Sequence, residues 1–170
     1  GLISVAALKE GLPPRLIRRL KRLPRMALAL ARSLLDAAGD ELVPGSLYFG
    51  TGWGPLSETH DFLLELFDSA ADPSSPTDFV GSVHNAPAGQ LAMRYKARGI
   101  NLTATGGASS FEQALFMAGL TATPADEPLL LLGADEHHPR LAPLLDPSAG
   151  AEEAEGGGAM LARRGEDGIL

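Results

Sequence analysis

The stretch GINLTATGGASSFE, residues Gly99–Glu112, decides the fold of this chain. In its first part, apolar Leu102 and Ala104 alternate with polar residues, which predicts a short strand. Gly106 and Gly107 follow, and at such a pair the backbone bends sharply without a Cβ clash. A strand, a glycine turn and a helix start are therefore predicted in immediate succession.

The residue at the tip of this turn is Ala108. We expect Ser109 or Ser110 to cap the following helix, which has Glu112 in its first turn and runs to about Thr121. The N–H groups at such a helix start stabilise a developing negative charge, so the arrangement is a common way to present one reactive side chain. Alanine has no nucleophile, acid or base, so this framework lacks its reactive group.

Composition and charge restrict the class of protein. The 170 residues fit one domain, 1–170, and are sufficient for a core. The net charge of -7 argues against a nucleic-acid binder, and the lack of cysteine excludes disulfides and thiol catalysis. No apolar run reaches the ~20 residues of a membrane span, and no signal peptide is visible. A reducing cytoplasm is the simplest expected location.

The positive charges are concentrated near the beginning of the chain. Eight basic residues lie in about the first fifth, namely Lys9, Arg15, Arg18, Arg19, Lys21, Arg22, Arg25 and Arg32. A basic patch on an acidic protein suggests recognition of an anionic partner. The alternative is a solvated helix face.

Strands and helices alternate along the sequence. Apolar spacing predicts helices from Pro13–Pro14 to Ala38, interrupted at Pro24, and over Ser57–Ser69 and Asn85–Ala97. The other predicted strands are Leu2–Leu8, Val43–Gly50, Leu129–Leu132 and Gly158–Ala162. Loops are predicted over 70–76 and 139–150, with an irregular segment over 77–82. This order indicates a layered α/β fold with a mainly parallel, mixed sheet.

Six stretches, in sequence order, resemble the β-ketoacyl synthases. Arg18–Ala29 is similar to their basic helical entry, and Phe49–Gly54 to their G-T-G strand end. Pro76–Gln90 is similar to an S-x-x-N-x-x-x-G helix start, and Gly99–Thr103 to a G-P-N strand with Ile100 in place of proline. Leu131–Glu136 is similar to the family's next strand, and Gly156–Leu161 to its closing E-G-A strand. The resemblance covers nearly the whole chain and implies half of a thiolase-like fold, the ketosynthase N-terminal domain.

The same resemblance places the family's active-site cysteine at Ala108. The two catalytic histidines belong to a C-terminal half that this sequence does not include. Condensation needs a thiolate to hold the acyl chain, and alanine cannot replace it. The resemblance therefore implies a non-catalytic subunit of the chain-length-factor type. It would pair with an active ketosynthase, or with itself, in fatty-acid, polyketide or aryl-polyene biosynthesis.

The resemblance also implies two contact surfaces. In this fold the strand before the nucleophile pairs across the dimer two-fold, with the helix from Asn85 nearby. The expected partner-interface residues are Asn85, Gln90, Asn101, Leu102, Thr103, Thr105 and Phe111. Basic residues of the family's entry helix help to dock the acidic acyl carrier protein, and the matching residues here are Arg18, Arg19, Lys21 and Arg22. The same four residues can instead form salt bridges within the chain.

Several alternatives stay open at this stage. Ser109 or Ser110 could be a replacement nucleophile in an acyl hydrolase or transferase, although no histidine is near in sequence. The run Asp135–His138 could bind a metal, but strand-end polar clusters mostly face solvent. Trp53 is expected at the partner interface or in the core, and His84 in a helix-start hydrogen bond. A stand-alone binding module for acyl chains or a carrier protein is a third function. We predict no metal and no cofactor.

Overall fold

The computed structural model describes residues 3–39, 42–68, 75–121, 128–145, 154–165 and 168–169. The helices are α1 (Val5–Lys9), α2 (Pro14–Arg19), α3 (Arg22–Ala38), α4 (Leu56–Asp68), α5 (Pro76–Ser82), α6 (Ala86–Tyr95), α7 (Ser110–Thr121) and α8 (Ala142–Leu145). The strands are β1 (Ser46–Gly50), β2 (Asn101–Ala104), β3 (Leu129–Asp135), β4 (Gly156–Ala162), β5 (Arg164–Gly165) and β6 (Gly168–Ile169). In this part of the chain, no helix has the length and apolar character needed to cross a membrane.

The main sheet has the strand order β2-β1-β3-β4. Strand β1 pairs in parallel with both β2 and β3, whereas β4 runs antiparallel to β3. The sheet is therefore mixed with a parallel centre, which confirms the predicted α/β class. Strand β2 lies at one edge, with no strand of the described chain on its outer side.

Helices cover both faces of the sheet. Leu47, Phe49, Leu130 and Leu132 point to one face, where they pack against α3 and α6. On the other face, Tyr48, Leu129 and Leu131 meet Ala114 and Ala118 of α7. All of these side chains are buried, because the central strands are covered on both sides and have no polar face.

Helix α7 lies unusually close to the sheet at β1. A Cβ atom on Gly50 would lie 2.6 Å from the Ser110 carbonyl oxygen and 2.8 Å from Phe111 Cα. Only glycine allows this approach, since any other residue would push the first turn of α7 away. The glycine at the end of β1 thus sets the position of the turn that carries Ala108.

Two short segments differ from the prediction. Residues 5–9 form α1 instead of a strand, because Ser4 Oγ accepts the Ala7 N–H at 3.1 Å and caps the helix. Residues 76–82 form α5 instead of an irregular segment, since Ser75 caps it and Pro76 suits a first helical position. In both cases a local cap decided the structure where the apolar spacing was too short to do so.

The predicted loop over 139–150 contains the single turn of α8, and its residues 146–150 lie outside the described residues.

The N-terminal helical stretch is interrupted, but not where Pro24 predicts. The break lies at Leu20 and Lys21, which separate α2 from α3. Pro24 lies in the first turn of α3, where its missing N–H would have no helical partner in any case. Gly39 ends α3 as predicted.

Candidate functional site

The turn between β2 and α7 is held by Ser110. Its Oγ accepts the Gly106 N–H at 2.9 Å and lies 2.9 Å from the Thr51 oxygen and 2.7 Å from the Gly107 oxygen. The hydroxyl hydrogen can serve only one of these carbonyls at a time. Ser110 is the first residue of α7 and fixes the turn behind it, so of the two predicted caps it is Ser109 that lies directly before the helix.

This geometry bears on the predicted serine nucleophiles. Ser110 is only 3% exposed, and its hydroxyl is occupied by the turn. Ser109 is exposed, and no described histidine or carboxylate forms a hydrogen bond with it. A serine nucleophile needs an adjacent base, and neither residue has one in the described structure.

Ala108 lies exposed in a short 3-10 turn over residues 107–109, where Gly107 has a φ of +58°. It borders an open cavity of about 350 Å³. The cavity is otherwise lined by Gly50, Gly107, Ser110, Phe111, Gly133, Ala134, Asp135 and Gly156–Gly158. The lining is largely backbone and small side chains. Position 108 therefore carries only a methyl group where a reactive side chain would project into the cavity.

Asp135 supplies the only carboxylate among the residues that line this cavity. Its Oδ1 accepts hydrogen bonds from Thr51 Oγ1 at 2.9 Å and from the Gly52 N–H at 2.7 Å, with the Trp53 N–H farther away at 3.4 Å. Burial raises the pKa of Asp135, and these hydrogen bonds oppose that effect. The carboxylate therefore ties the ends of β1 and β3 together beside the Ala108 turn.

The rest of the Asp135–His138 run does not converge on one point. Glu136 is buried, and its carboxylate accepts the Ser57 N–H at 2.9 Å and Ser57 Oγ at 2.7 Å at the start of α4. Its burial corrects the expectation that strand-end acids face solvent. The His138 ring lies 4.5 Å from that of His60, and its Nδ1 accepts backbone N–H groups. Among the described residues, no group of three or more metal-binding side chains forms.

The expected partner-interface residues fall in three places. Asn101, Leu102 and Thr103 lie along the free edge formed by β2, and Thr105 follows it. Phe111 lies away from this edge, over Gly133 in the Ala108 cavity. Asn85 and Gln90 line a separate groove beside α6. The structure thus brings only the β2 residues together on one edge.

The four expected docking residues divide into two pairs. Arg18 and Arg19 are exposed at the end of α2. Lys21 forms an exposed ion pair with Asp61. Arg22 pairs with the fully buried Glu155 side chain and also donates to the Ile3 carbonyl at 2.6 Å.

The charge of Arg22 is engaged inside the chain, so Arg22 is less available for the expected docking contact than the exposed Arg18 and Arg19. Burial opposes ionisation of Glu155, but hydrogen bonds from Arg22 and from the Ile3 N–H lower its pKa below the usual value. For Lys21 and Arg22, the salt-bridge alternative is the one observed.

Sequence reasoning missed Glu58, a buried acid in α4. Its Oε1 accepts the Lys21 N–H at 3.0 Å, while its Oε2 has no hydrogen-bond partner among the described residues. Burial, and next the charge of Glu136, raise the pKa of Glu58 to about 7. No sequence signal marks this residue, since an acid in a first helical turn is ordinary.

The two remaining expectations concern Trp53 and His84. Trp53 is 43% exposed, so it does not belong to the core. His84 is exposed, with its ring so close to Gly54 that a Cβ there would lie 2.8 Å from His84 Cδ2. The described structure gives His84 no helix-start hydrogen bond, which makes that prediction wrong.

The fold and this turn define a domain of the ketosynthase type. Residues 5–162 match the family model described as the N-terminal domain of β-ketoacyl synthase, and the chain belongs to this family. No curated protein sequence matches it.

Solved structures with the same fold include two ketosynthase/chain-length-factor complexes. One is a ketosynthase, ApeO, in complex with its chain length factor, ApeC, from Xenorhabdus doucetiae. It is 27% identical with a TM-score of 0.73, and the match covers 91% of this chain and 62% of that chain. The other, the ishigamide ketosynthase/chain length factor, is 26% identical with a TM-score of 0.70, covering 94% and 48%.

A β-ketoacyl synthase from Burkholderia phymatum has a TM-score of 0.59 at 18% identity, covering 81% of this chain and 36% of that chain, and it supports the fold alone. The chain spans less than two thirds of the length of each of these structures.

Proposed function

We propose that this chain is a non-catalytic, ketosynthase-like subunit of the chain-length-factor type. It pairs with an active ketosynthase and helps to bind the growing acyl chain in fatty-acid, polyketide or aryl-polyene biosynthesis. The observation that carries the proposal is Ala108, which lies at the tip of a complete strand–turn–helix framework beside an open cavity. A framework kept without its nucleophile fits a role in shaping a site better than a role in catalysis.

Two features of the structure support pairing. The outer edge of β2 has no strand beside it in the described chain, and such an edge readily pairs with a strand of another subunit. The two complexes reported above contain a ketosynthase and a chain length factor, and this chain has the same fold. An acyl carrier protein is the expected third component, with Arg18 and Arg19 available to steer an acidic partner.

The experiment is co-expression with ketosynthases encoded beside this chain, followed by size-exclusion chromatography with mass analysis. We expect a stable one-to-one complex that extends acyl chains when supplied with a carrier protein. Phe111→Ala enlarges the Ala108 cavity and is expected to change product length. As a matched control, Phe67→Ala at an exposed position near the end of α4 is expected to leave product length unchanged. If no synthase is retained, the proposal fails.

The alternative function is an acyl hydrolase that uses a serine nucleophile, and it is tested on the same purified chain. Turnover of acyl thioesters by the purified chain, lost on Ser109→Ala, would establish it. The occupied hydroxyl of Ser110 and the lack of a described base beside Ser109 argue against this result.

A further inference from the structure

Two histidines join α4 to the segment that follows β3. The ring centroids of His60 and His138 lie 4.5 Å apart, with the ring planes inclined at 37°. Both residues are partly buried. His60 lies on α4 and His138 lies just beyond β3, so the two rings meet across elements that are distant in sequence.

His138 also organises the chain that follows it. Its Nδ1 accepts the N–H groups of Arg140 at 3.4 Å and of Leu141 at 3.3 Å, and its carbonyl oxygen accepts the Ala142 N–H at 2.9 Å. A ring nitrogen that accepts a hydrogen bond carries no proton, so this imidazole is neutral, with its proton on Nε2. The turn that leads into α8 is therefore built on a neutral histidine.

Residues 139–145 have few other attachments. None of the α8 side chains is buried, and Leu144 is 75% exposed. Across these seven described residues no ion pair forms, and no side chain makes a hydrogen bond to another element. Segments with few buried apolar contacts open at a low cost in free energy. The position of this segment therefore depends largely on the ring of His138.

The groups around His138 favour its neutral form. His60 and Asp61 face it from α4, while His137 and Arg140 face it from its own segment. Burial, and next the charge of His60, lower the pKa of His138 below its usual value, and Asp61 opposes this effect. The ring therefore resists a proton as long as the segment stays in place.

Asp61 is the acid that could neutralise a charged His138, but both of its oxygens have other partners. Oδ1 lies 3.1 Å from His60 Nδ1, and Oδ2 pairs with the Lys21 ammonium. Neither oxygen forms a hydrogen bond with His138 in the described structure. A proton on His138 is therefore left without a direct counter-charge.

We propose that His60 and His138 form a proton-controlled clasp, which holds residues 138–145 against α4 when its rings are neutral and releases them when its rings are protonated. A proton that His138 takes up from solvent on Nδ1 occupies the lone pair that accepts the Arg140 and Leu141 N–H groups. Two positively charged rings at this separation also repel each other. No residue of the clasp lines the Ala108 cavity, so the clasp does not depend on the proposed function.

The nearby acids respond to pH in a different way. Glu58 and Glu136 have raised pKa values, so the folded state gains stability from them as pH falls. Asp61 and Glu155 have lowered pKa values and stay ionised at about pH 5. Release of the segment on mild acidification is therefore not expected from any of these four carboxyl groups.

The test measures backbone motion in the isotope-labelled chain by ¹⁵N relaxation at about pH 7.5 and about pH 5, on either side of the usual histidine midpoint. We expect the order parameters of Arg140, Leu141 and Ala142 to fall below about 0.6 at the lower pH. The ring signals of His138 should titrate over the same range. Ala88 and Leu91, which are fully buried in α6, should stay rigid throughout.

His138→Asn separates the proton from the hydrogen bonds. The asparagine oxygen can accept the same backbone N–H groups, but the side chain does not titrate. We expect residues 140–142 to stay ordered at both pH values in this variant. His84→Asn is the matched control at a histidine that has no ring contact with the clasp in the described structure, and it should keep the response of the native chain.

His60→Phe tests the repulsion between the rings. Phenylalanine keeps a ring beside His138 and removes the charge, so the titration midpoint of His138 should rise by roughly half a pH unit. The proposal is overturned if residues 140–142 of the native chain are equally ordered at both pH values, or if His138→Asn is released as the native chain is. If His138→Asn does not fold, His60→Phe decides, and an unchanged His138 midpoint overturns the proposal.

Discussion

Two acids at the residue scale show how burial determines the behaviour of a side chain. Glu155 is buried but ionised, since Arg22 lies against it and its pKa is lowered. Glu58 is also buried, but it has one unpartnered oxygen and Glu136 nearby, and its pKa is raised to about 7. The first acid stabilises the fold through its partner, whereas the second reduces stability when it is ionised.

The first prediction concerns the pH dependence that Glu58 introduces. The pKa of Glu58 is about 7 in the folded state, compared with 4.5 for an ordinary glutamate, so the folded state holds this proton to a higher pH. The folded state therefore binds more protons between these values, and stability falls as pH rises through this range. The full effect is at most about 3 kcal/mol.

Chemical unfolding of the native chain and of Glu58→Gln, at about pH 5 and about pH 8, measures this effect. We expect the variant to lose less stability between the two conditions, because glutamine does not ionise. Asp135 and Glu136 also have raised pKa values and remain in both proteins, so the difference reports Glu58 together with its charge interaction with Glu136. If both proteins lose the same stability between the two pH values, Glu58 is not the group responsible.

The second prediction compares two ion pairs. Glu155→Gln leaves Arg22 partly buried without its counter-charge, and we expect a loss of about 3 kcal/mol. Asp61→Asn breaks the exposed pair with Lys21 and is expected to cost less than about 1 kcal/mol. Thermal unfolding of both variants checks the ranking, and a larger loss for Asp61→Asn would contradict it.

At the scale of elements, the contact between α7 and β1 gives the third prediction. Gly50→Ala places a methyl group 2.6 Å from the Ser110 carbonyl, and we expect a loss of the order of 2–3 kcal/mol. Gly89→Ala is the matched control in α6, where no atom lies within 4 Å of the new Cβ. That change is expected to gain about 0.5–1 kcal/mol, since alanine favours a helix. Unfolding midpoints of the two variants should move in opposite directions.

The elements also show what the sequence could and could not predict. The longer periodic helices and the wholly apolar β3 were predictable, because their side-chain patterns repeat over several residues. The short helices α1 and α5 were missed, since a single serine cap determines each of them. The turn around Ala108 was predictable from its glycines. The pairing of Arg22 with Glu155 was not, because these residues are 133 positions apart and only the folded sheet brings them together.

For the whole molecule, two surfaces of the described chain are unlike an ordinary exterior. Helix α7 buries its alanines and exposes Leu115, Phe116 and Leu120, the last two to 65% each. The β2 edge leaves backbone groups unpaired, and Thr103 Oγ1 has no partner although it is buried. Exposed apolar patches and open strand edges are typical of contact surfaces, and both features fit a subunit that works in an assembly.

The fourth prediction tests the β2 edge in that assembly. The carbonyls of Ile100 and Ala104 accept hydrogen bonds from the β1 side. The backbone groups of successive residues in a strand point to opposite sides, so the Thr103 N–H points to the free side of β2. Thr103→Pro removes this donor without breaking the β1–β2 ladder, and proline is tolerated on an edge strand. We expect the isolated chain to fold, with loss of the one-to-one synthase complex in size-exclusion chromatography.

Thr103→Val is the matched control, because valine keeps the N–H group and favours a strand. It should retain the complex, which separates the backbone contribution from that of the threonine hydroxyl. A Thr103→Pro variant that is folded by circular dichroism and still binds the synthase would exclude β2 from the interface. The exposed face of α7 would then be the surface to test, since Leu115, Phe116 and Leu120 are exposed together on this helix.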